Sequence, residues 1–118
     1  MGKYHFIAIG GIGMSGLAKY LLEEGHTVTG SDIEDSKYLK ALRDLGAEVN
    51  VGHNADNLPN DSEAVIVSTA IRENNPELVK ARNLGIKIYH RSDLLEEIAK
   101  NAQNNKKYQQ DYSLYPLV

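Results

Sequence analysis

The sequence predicts an α/β fold, a Rossmann-like parallel five-stranded sheet with helices on both faces. Three observations carry that reading. Short apolar runs alternate with helix-like segments of about ten residues along most of the chain. The glycine cluster Gly10-Gly11-Ile12-Gly13 joins the first apolar run to the first helix. The run AVIVS at 64–68 is continuously apolar, as a strand covered on both faces requires.

Each element has its own signal. Residues 4–9 are apolar and β-branched, end at Gly10, and form the first strand. Residues 14–24 place Met14, Leu17, Ala18, Leu21 and Leu22 on one helical face, with Gly25 as the stop. Residues 26–30 are a short second strand. Residues 36–45 are a second helix with Leu39, Leu42 and Leu45 inward and Gly46 as its stop. Residues 47–51 form the third strand, and the polar stretch GHNADNLPND leads to the fourth at 64–68. Asn75-Pro76-Glu77 opens a helix, with a capping side chain, a proline at the first position and an acid in the first turn. That helix stops at Gly85. Residues 86–89 are the fifth strand, and Ser92 or Asp93 caps a last helix to about Ala102. Such alternation implies right-handed βαβ units.

The domain reading is residues 1–102 as one unit and 103–118 as a tail, either a truncated linker or disordered. A tail that folds back, covering apolar surface with Tyr112, Leu114 and Tyr115, is the alternative. At 118 residues, 42% hydrophobic and 25% charged, the chain suits one compact globular domain. A net charge of −3 without a basic stripe argues against nucleic acid as a partner. No cysteine is present, so there is neither disulfide nor thiolate chemistry. The four histidines are 21 to 37 residues apart and show no metal-ligand spacing, so no metal site is expected. MGKYHF is neither a signal pattern nor a myristoylation site, because Phe6 stands where Ser or Thr is wanted. FIAIGGIGM is about half the length of a membrane span. A cytoplasmic protein with no membrane partner is the expectation.

Gly11-Ile12-Gly13-Met14-Ser15-Gly16 is a G-x-G-x-x-G between strand and helix. Gly11 would allow a tight turn, Gly13 the close approach of a phosphate, and Gly16 the packing of helix on strand. The helix N-terminus then offers free N–H groups to the anion. A Walker A loop is excluded, since Leu17-Ala18 follows where Lys and Ser or Thr are needed. Asp32 lies 21 residues after Gly11, near the spacing of an acid on a ribose, which favours NAD. It falls two residues beyond the expected strand, however, which suits a differently posed nucleotide or plain turn duty.

Several stretches together resemble one family. HFIAIGGIGMSGLA, TGSD, the LGAEVNVGH run, VIVSTAI, NNPELVKAR and HRSDLL are similar, in order and interval, to the N-terminal domain of the Mur ligase family of peptidoglycan synthesis. GGIGMSG points to the branch that adds L-alanine to UDP-N-acetylmuramate. The resemblance covers residues 4–100. It implies a domain that binds UDP-N-acetylmuramate with the diphosphate on the glycine loop. In the full-length enzyme it implies ATP and Mg2+ on a central domain, and an acyl phosphate attacked by the amine of alanine. No cofactor and no catalytic residue are implied for this chain, because KKYQQDYSLYPLV stands where the central domain's loop would begin. The missing ligase domains are thus implied partners, and the oligomeric state is left open.

Carried over by the resemblance, Gly11, Ile12, Gly13, Met14 and Ser15 line the diphosphate, and Ser31 and Asp32 meet the uridine side. His53 and Asn54 lie where uracil contacts form, against the plainer reading of GHNADN as a polar turn. Ser68, Thr69 and Ala70 sit at the carboxyl end of the fourth strand, where open α/β sheets place ligands. Arg91 is the nearest cation for a phosphate. His5, His26 and His90 are read as structural. The competing readings are an NAD(P)-binding Rossmann domain of an oxidoreductase and a nucleotide-sensing regulatory domain.

Overall fold

The computed structural model describes residues 2–104. Its strands are β1 (Lys3–Ile7), β2 (Thr27–Asp32), β3 (Glu48–Val51), β4 (Ala64–Val67) and β5 (Lys87–His90). They form one sheet in the order β3-β2-β1-β4-β5, every neighbouring pair parallel. The helices are α1 (Ile12–Glu23), α2 (Lys37–Asp44), α3 (Pro76–Leu84) and α4 (Arg91–Asn104), with a 3-10 turn at Ala55–Asn57.

The order of the strands decides where the helices lie. From β1 the chain steps outward through β2 to β3, and right-handed crossovers put α1 and α2 on one face. It then returns to β4 and steps the other way to β5, so α3 lands on the opposite face. One core joins Phe6, Leu17, Leu21, Leu39, Leu42, Ile66 and Leu94 beneath α1, α2 and α4. The second joins Ile7, Leu58, Val65, Leu78 and Ala81 beneath α3. Val65 and Ile66 are adjacent, fully buried, and belong to different cores, as the continuous apolar run requires.

Capping follows the sequence. Ser36 accepts from the N–H of Leu39, and Asn75 accepts from the N–H groups of Glu77 and Leu78 ahead of Pro76. Gly85 ends α3 with φ of 71°, the left-handed conformation that favours glycine at this position. Three boundaries differ from expectation. β1 ends at Ile7, because Ala8 turns away with φ of 69°. β2 continues through Asp32, which pairs with Val51 of β3. α4 begins at Arg91, directly after β5, so neither Ser92 nor Asp93 is its cap, and it runs through Asn104 into the stretch read as tail. The fold-back alternative for Tyr112, Leu114 and Tyr115 lies outside the described residues.

Gly30 shows how tightly the sheet meets its loop. A Cβ there would stand 2.7 Å from Ile9 Cδ1 and 2.9 Å from the Phe6 carbonyl oxygen. The backbone oxygen cannot rotate away. Gly30→Ala is therefore expected to cost about 1–3 kcal/mol through overpacking. A urea midpoint equal to wild type would mean that the β1 and β2 backbones are not held this closely.

Candidate functional site

β1 and β4 lie side by side where the strand order reverses, and in open α/β sheets the crevice beyond the carboxyl ends of such strands receives ligands. The loop that follows β1 is gripped by the end of β2. The N–H groups of Ala8 and Ile9 both donate to the Ser31 carbonyl oxygen, at 2.9 and 3.0 Å. Gly10 N–H donates to Oδ2 of Asp32 at 2.8 Å, while Oδ1 accepts from Glu34 N–H at 3.2 Å. A Cβ on Gly10 would stand 2.8 Å from both Asp32 Oδ2 and Leu39 Cδ1, so this grip needs glycine. Asp32 is the last residue of β2 and lies at the strand tip, where spacing alone had put it two residues beyond.

The loop delivers the chain to α1 with an open N-terminus. Gly11 is its N-cap, no side chain caps it, and its first turn carries no acid. The N–H groups of Ile12, Gly13 and Met14 have no protein partner among the described residues. α2 and α3, by contrast, are capped by Ser36 and Asn75. Beside this end lies Arg91: a Cβ on Gly13 would stand 3.0 Å from its Nε and 3.1 Å from its Cζ. No carboxylate pairs with Arg91 among the described residues. A helix N-terminus and a guanidinium thus meet at one surface, a combination suited to an anion.

Two of the glycine roles differ from those expected. The turn falls at Ala8, while Gly11 has an ordinary φ of −64°. Gly16 does not serve helix packing, since a Cβ there would meet nothing within 4 Å. Met14 and Ser15 are buried, Met14 in the core and Ser15 with its hydroxyl donating to the Ile12 carbonyl oxygen. Gly11, Ile12 and Gly13 form the exposed part of the loop.

Behind the loop is a polar centre that the sequence reading passed over. Glu77, in the first turn of α3, is fully buried. Its Oε1 accepts from His5 Nε2 at 2.5 Å and from the Ser31 hydroxyl at 2.8 Å. Its Oε2 accepts from Asn54 N–H and Asn57 Nδ2, both at 3.1 Å, and lies 3.4 Å from His53 Nδ1. Burial works against the charge, but the hydrogen bonds from His5, Ser31 and Asn57 outweigh it and hold the carboxyl at about 2. The network ties β1, β2, the 3-10 turn and α3 together. His5 is satisfied at its other nitrogen by Thr29 Oγ1, at 2.6 Å. A histidine inside an apolar strand was the signal, since such a group needs a buried partner.

The remaining residues sort by exposure. His53 contacts Ser31 Oγ through Nδ1 at 2.8 Å and lines a cleft of about 600 Å³ with Ala8, Asp32, Ile33, Ala70 and Ile71. The Asn54 side chain accepts from Asp56 N–H, so both its backbone N–H and its side chain serve the turn. Ser68 is half-buried, Thr69 and Ala70 are exposed, all three follow β4, and Ala70 lines the cleft. Ser31 is fully buried and reaches the cleft only through His53. Among the described residues, no three His, Asp or Glu side chains gather as metal ligands. No helix among them is long and apolar enough to cross a membrane.

Comparison with known proteins decides the family. The model of the Mur ligase family, catalytic domain, matches residues 3–103. The chain belongs to the Mur ligase family. This Mur ligase chain is 56% identical over 95 residues to UDP-N-acetylmuramate–L-alanine ligase of Streptomyces coelicolor, covering 80% of the chain and 21% of that protein. It is 55% identical over 98 residues to the ligase of the same name from Agrobacterium fabrum, covering 83% and 21%. The crystal structure of UDP-N-acetylmuramate–alanine ligase from Thermotoga maritima superposes with a TM-score of 0.82 at 39% identity, over 86% of this chain and 24% of that one. The Mur ligase chain thus spans about a fifth of the length of the curated relatives it matches. The sequence resemblance to this family and the five-stranded α/β fold are both borne out.

Proposed function

We propose that this Mur ligase chain binds UDP-N-acetylmuramate, as the nucleotide-sugar domain of an ATP-dependent UDP-N-acetylmuramate–L-alanine ligase of peptidoglycan synthesis. The observation that carries the reading is the uncapped N-terminus of α1 beneath the Arg91 guanidinium, beside the switch-point cleft. The diphosphate rests on the N–H groups of Ile12, Gly13 and Met14, with Gly11 and Gly13 allowing its approach and Arg91 balancing its charge. The uridine enters the cleft by Asp32 and His53, and the sugar lies toward Ser68, Thr69 and Ala70. Met14 contributes its backbone only, and Ser15, whose N–H donates to the Gly11 carbonyl oxygen, shapes the start of the helix. Ser31 and Asn54 act from behind, holding the loop and the turn. In the longer ligase, ATP and Mg2+ activate the muramate carboxylate on other parts of the protein, and this chain holds the substrate in place.

The test is thermal unfolding of the chain with UDP-N-acetylmuramate, UDP, NADH and ATP side by side. A ligand at about 100 times its Kd adds roughly 2.7 kcal/mol of stability, a clear shift in Tm. Stabilisation by the UDP compounds is expected, and Arg91→Ala should weaken UDP binding about tenfold through loss of a charge-assisted contact. A shift with NADH and none with UDP would replace this reading with the dinucleotide one.

A further inference from the structure

The buried carboxylate does more than tie strands together, because the protons around it can be counted. Oε1 of Glu77 takes the single hydroxyl proton of Ser31, at 2.8 Å. The same Ser31 oxygen lies 2.8 Å from His53 Nδ1, and with its proton committed it can only accept there. The proton between them therefore belongs to Nδ1. Oε2 of Glu77, 3.4 Å from that nitrogen, favours the same placement. A neutral imidazole protonated at Nδ1 carries a bare lone pair at Nε2. No hydrogen bond to that nitrogen is formed among the described residues, the His53 side chain is part-exposed, and it lines the cleft together with Ile33, Ile71 and Asp32.

We infer that Glu77, acting through Ser31, sets His53 as an obligate acceptor toward the cleft and so selects a uracil ring over a cytosine ring. Uracil presents N3–H to that lone pair, whereas cytosine presents a second lone pair at N3. A fixed acceptor at His53, in a cleft that Ile33 and Ile71 also line, suits the N3–H of a planar imide. This rests on the proposed UDP-sugar site and adds to it the source of its base preference. Glu77 is a positioning residue here, two hydrogen bonds away from His53 and three from the base.

Glu77→Gln forces the network to reorient in one direction. A glutamine must turn its NH2 toward one side of the network. The Asn54 backbone N–H cannot become an acceptor, while His5 can change tautomer and Ser31 can rotate its hydroxyl. The NH2 therefore faces His5 and Ser31. Ser31 then accepts from it and donates its own proton to His53 Nδ1, which moves the ring proton to Nε2.

The experiment uses the chain itself at about pH 8. Calorimetry gives Kd for UDP and for CDP, and imidazole nitrogen NMR gives the tautomer of His53. The wild type is expected to show His53 protonated at Nδ1 and UDP bound about tenfold or more tighter than CDP. In Glu77→Gln the proton should move to Nε2 and the preference should collapse or reverse. A purely structural Glu77 would weaken both nucleotides equally and leave their ratio alone, which would overturn the inference. A wild-type His53 protonated at Nε2, or equal affinity for UDP and CDP, would overturn it without any variant and leave the UDP-sugar site standing. Failure of the wild type to bind either nucleotide would remove the site and the inference together.

Discussion

Glu77→Ala is expected to lower stability by about 3–5 kcal/mol, enough to bring a domain of this size close to unfolding. The loss has two parts. Truncation leaves His5 Nε2, the Ser31 hydroxyl, Asn54 N–H and Asn57 Nδ2 buried or half-buried without their acceptor. It also opens a cavity beneath the start of α3. The same carboxylate sets an acid limit. Its folded value of about 2 lies below the ordinary 4.5, so between those values the unfolded chain binds the extra proton. Its contribution, about 3 kcal/mol, is complete above the ordinary value and is lost as pH falls from about 4.5 toward 2. Urea unfolding of wild type and Glu77→Gln at neutral pH and at about pH 3 checks both statements. The gap between the two proteins should narrow on acidification. A gap that stays constant would show that Glu77 does not carry this part of the acid sensitivity.

Gly13→Val is expected to abolish UDP-N-acetylmuramate binding, by about a hundredfold or more, while the fold survives. The added side chain would occupy the surface over the free N–H groups at the start of α1, where a phosphate has to approach the backbone. It would also press on the Arg91 guanidinium, whose atoms lie 3.0 to 3.3 Å from the new Cβ. Arg91 sits at the far end of a flexible side chain and can swing aside, so the strain is small. Calorimetry with UDP-N-acetylmuramate should show binding lost and the melting temperature nearly unchanged. Normal binding by this variant would move the diphosphate off the glycine loop. Gly13→Val thus loses ligand and keeps its stability, whereas Glu77→Ala loses most of its stability.

How much of this was legible in the chain depends on the range of the interaction behind each feature. The strands and helices of the sheet were readable because alternation, caps and stops are local, as at Asn75-Pro76 and Gly85. The continuous run at 64–68 announced a strand covered twice. The glycine motif and its place between strand and helix were equally local, and with HRSDLL and the NNPELVKAR run they carried the family resemblance. Errors came where a residue's partner lies far along the chain. Gly16 was assigned to packing by the motif's spacing, yet it faces open space. Asp32 was placed past its strand because β2 is prolonged by pairing with β3, which the strand's own residues do not reveal.

The α/β class, the helix limits set by caps and glycines, and the family all follow from residues near one another or from their order along the chain. It takes the folded chain to make Glu77 a buried hub and not a helix-end charge, to bring Arg91 over Gly13, and to turn Ser31 inward. Those contacts span 72 residues between His5 and Glu77 and 46 between Ser31 and Glu77. Side-chain electrostatics in a dry interior depend on which groups the winding of the sheet brings together, and no short-range pattern encodes that meeting.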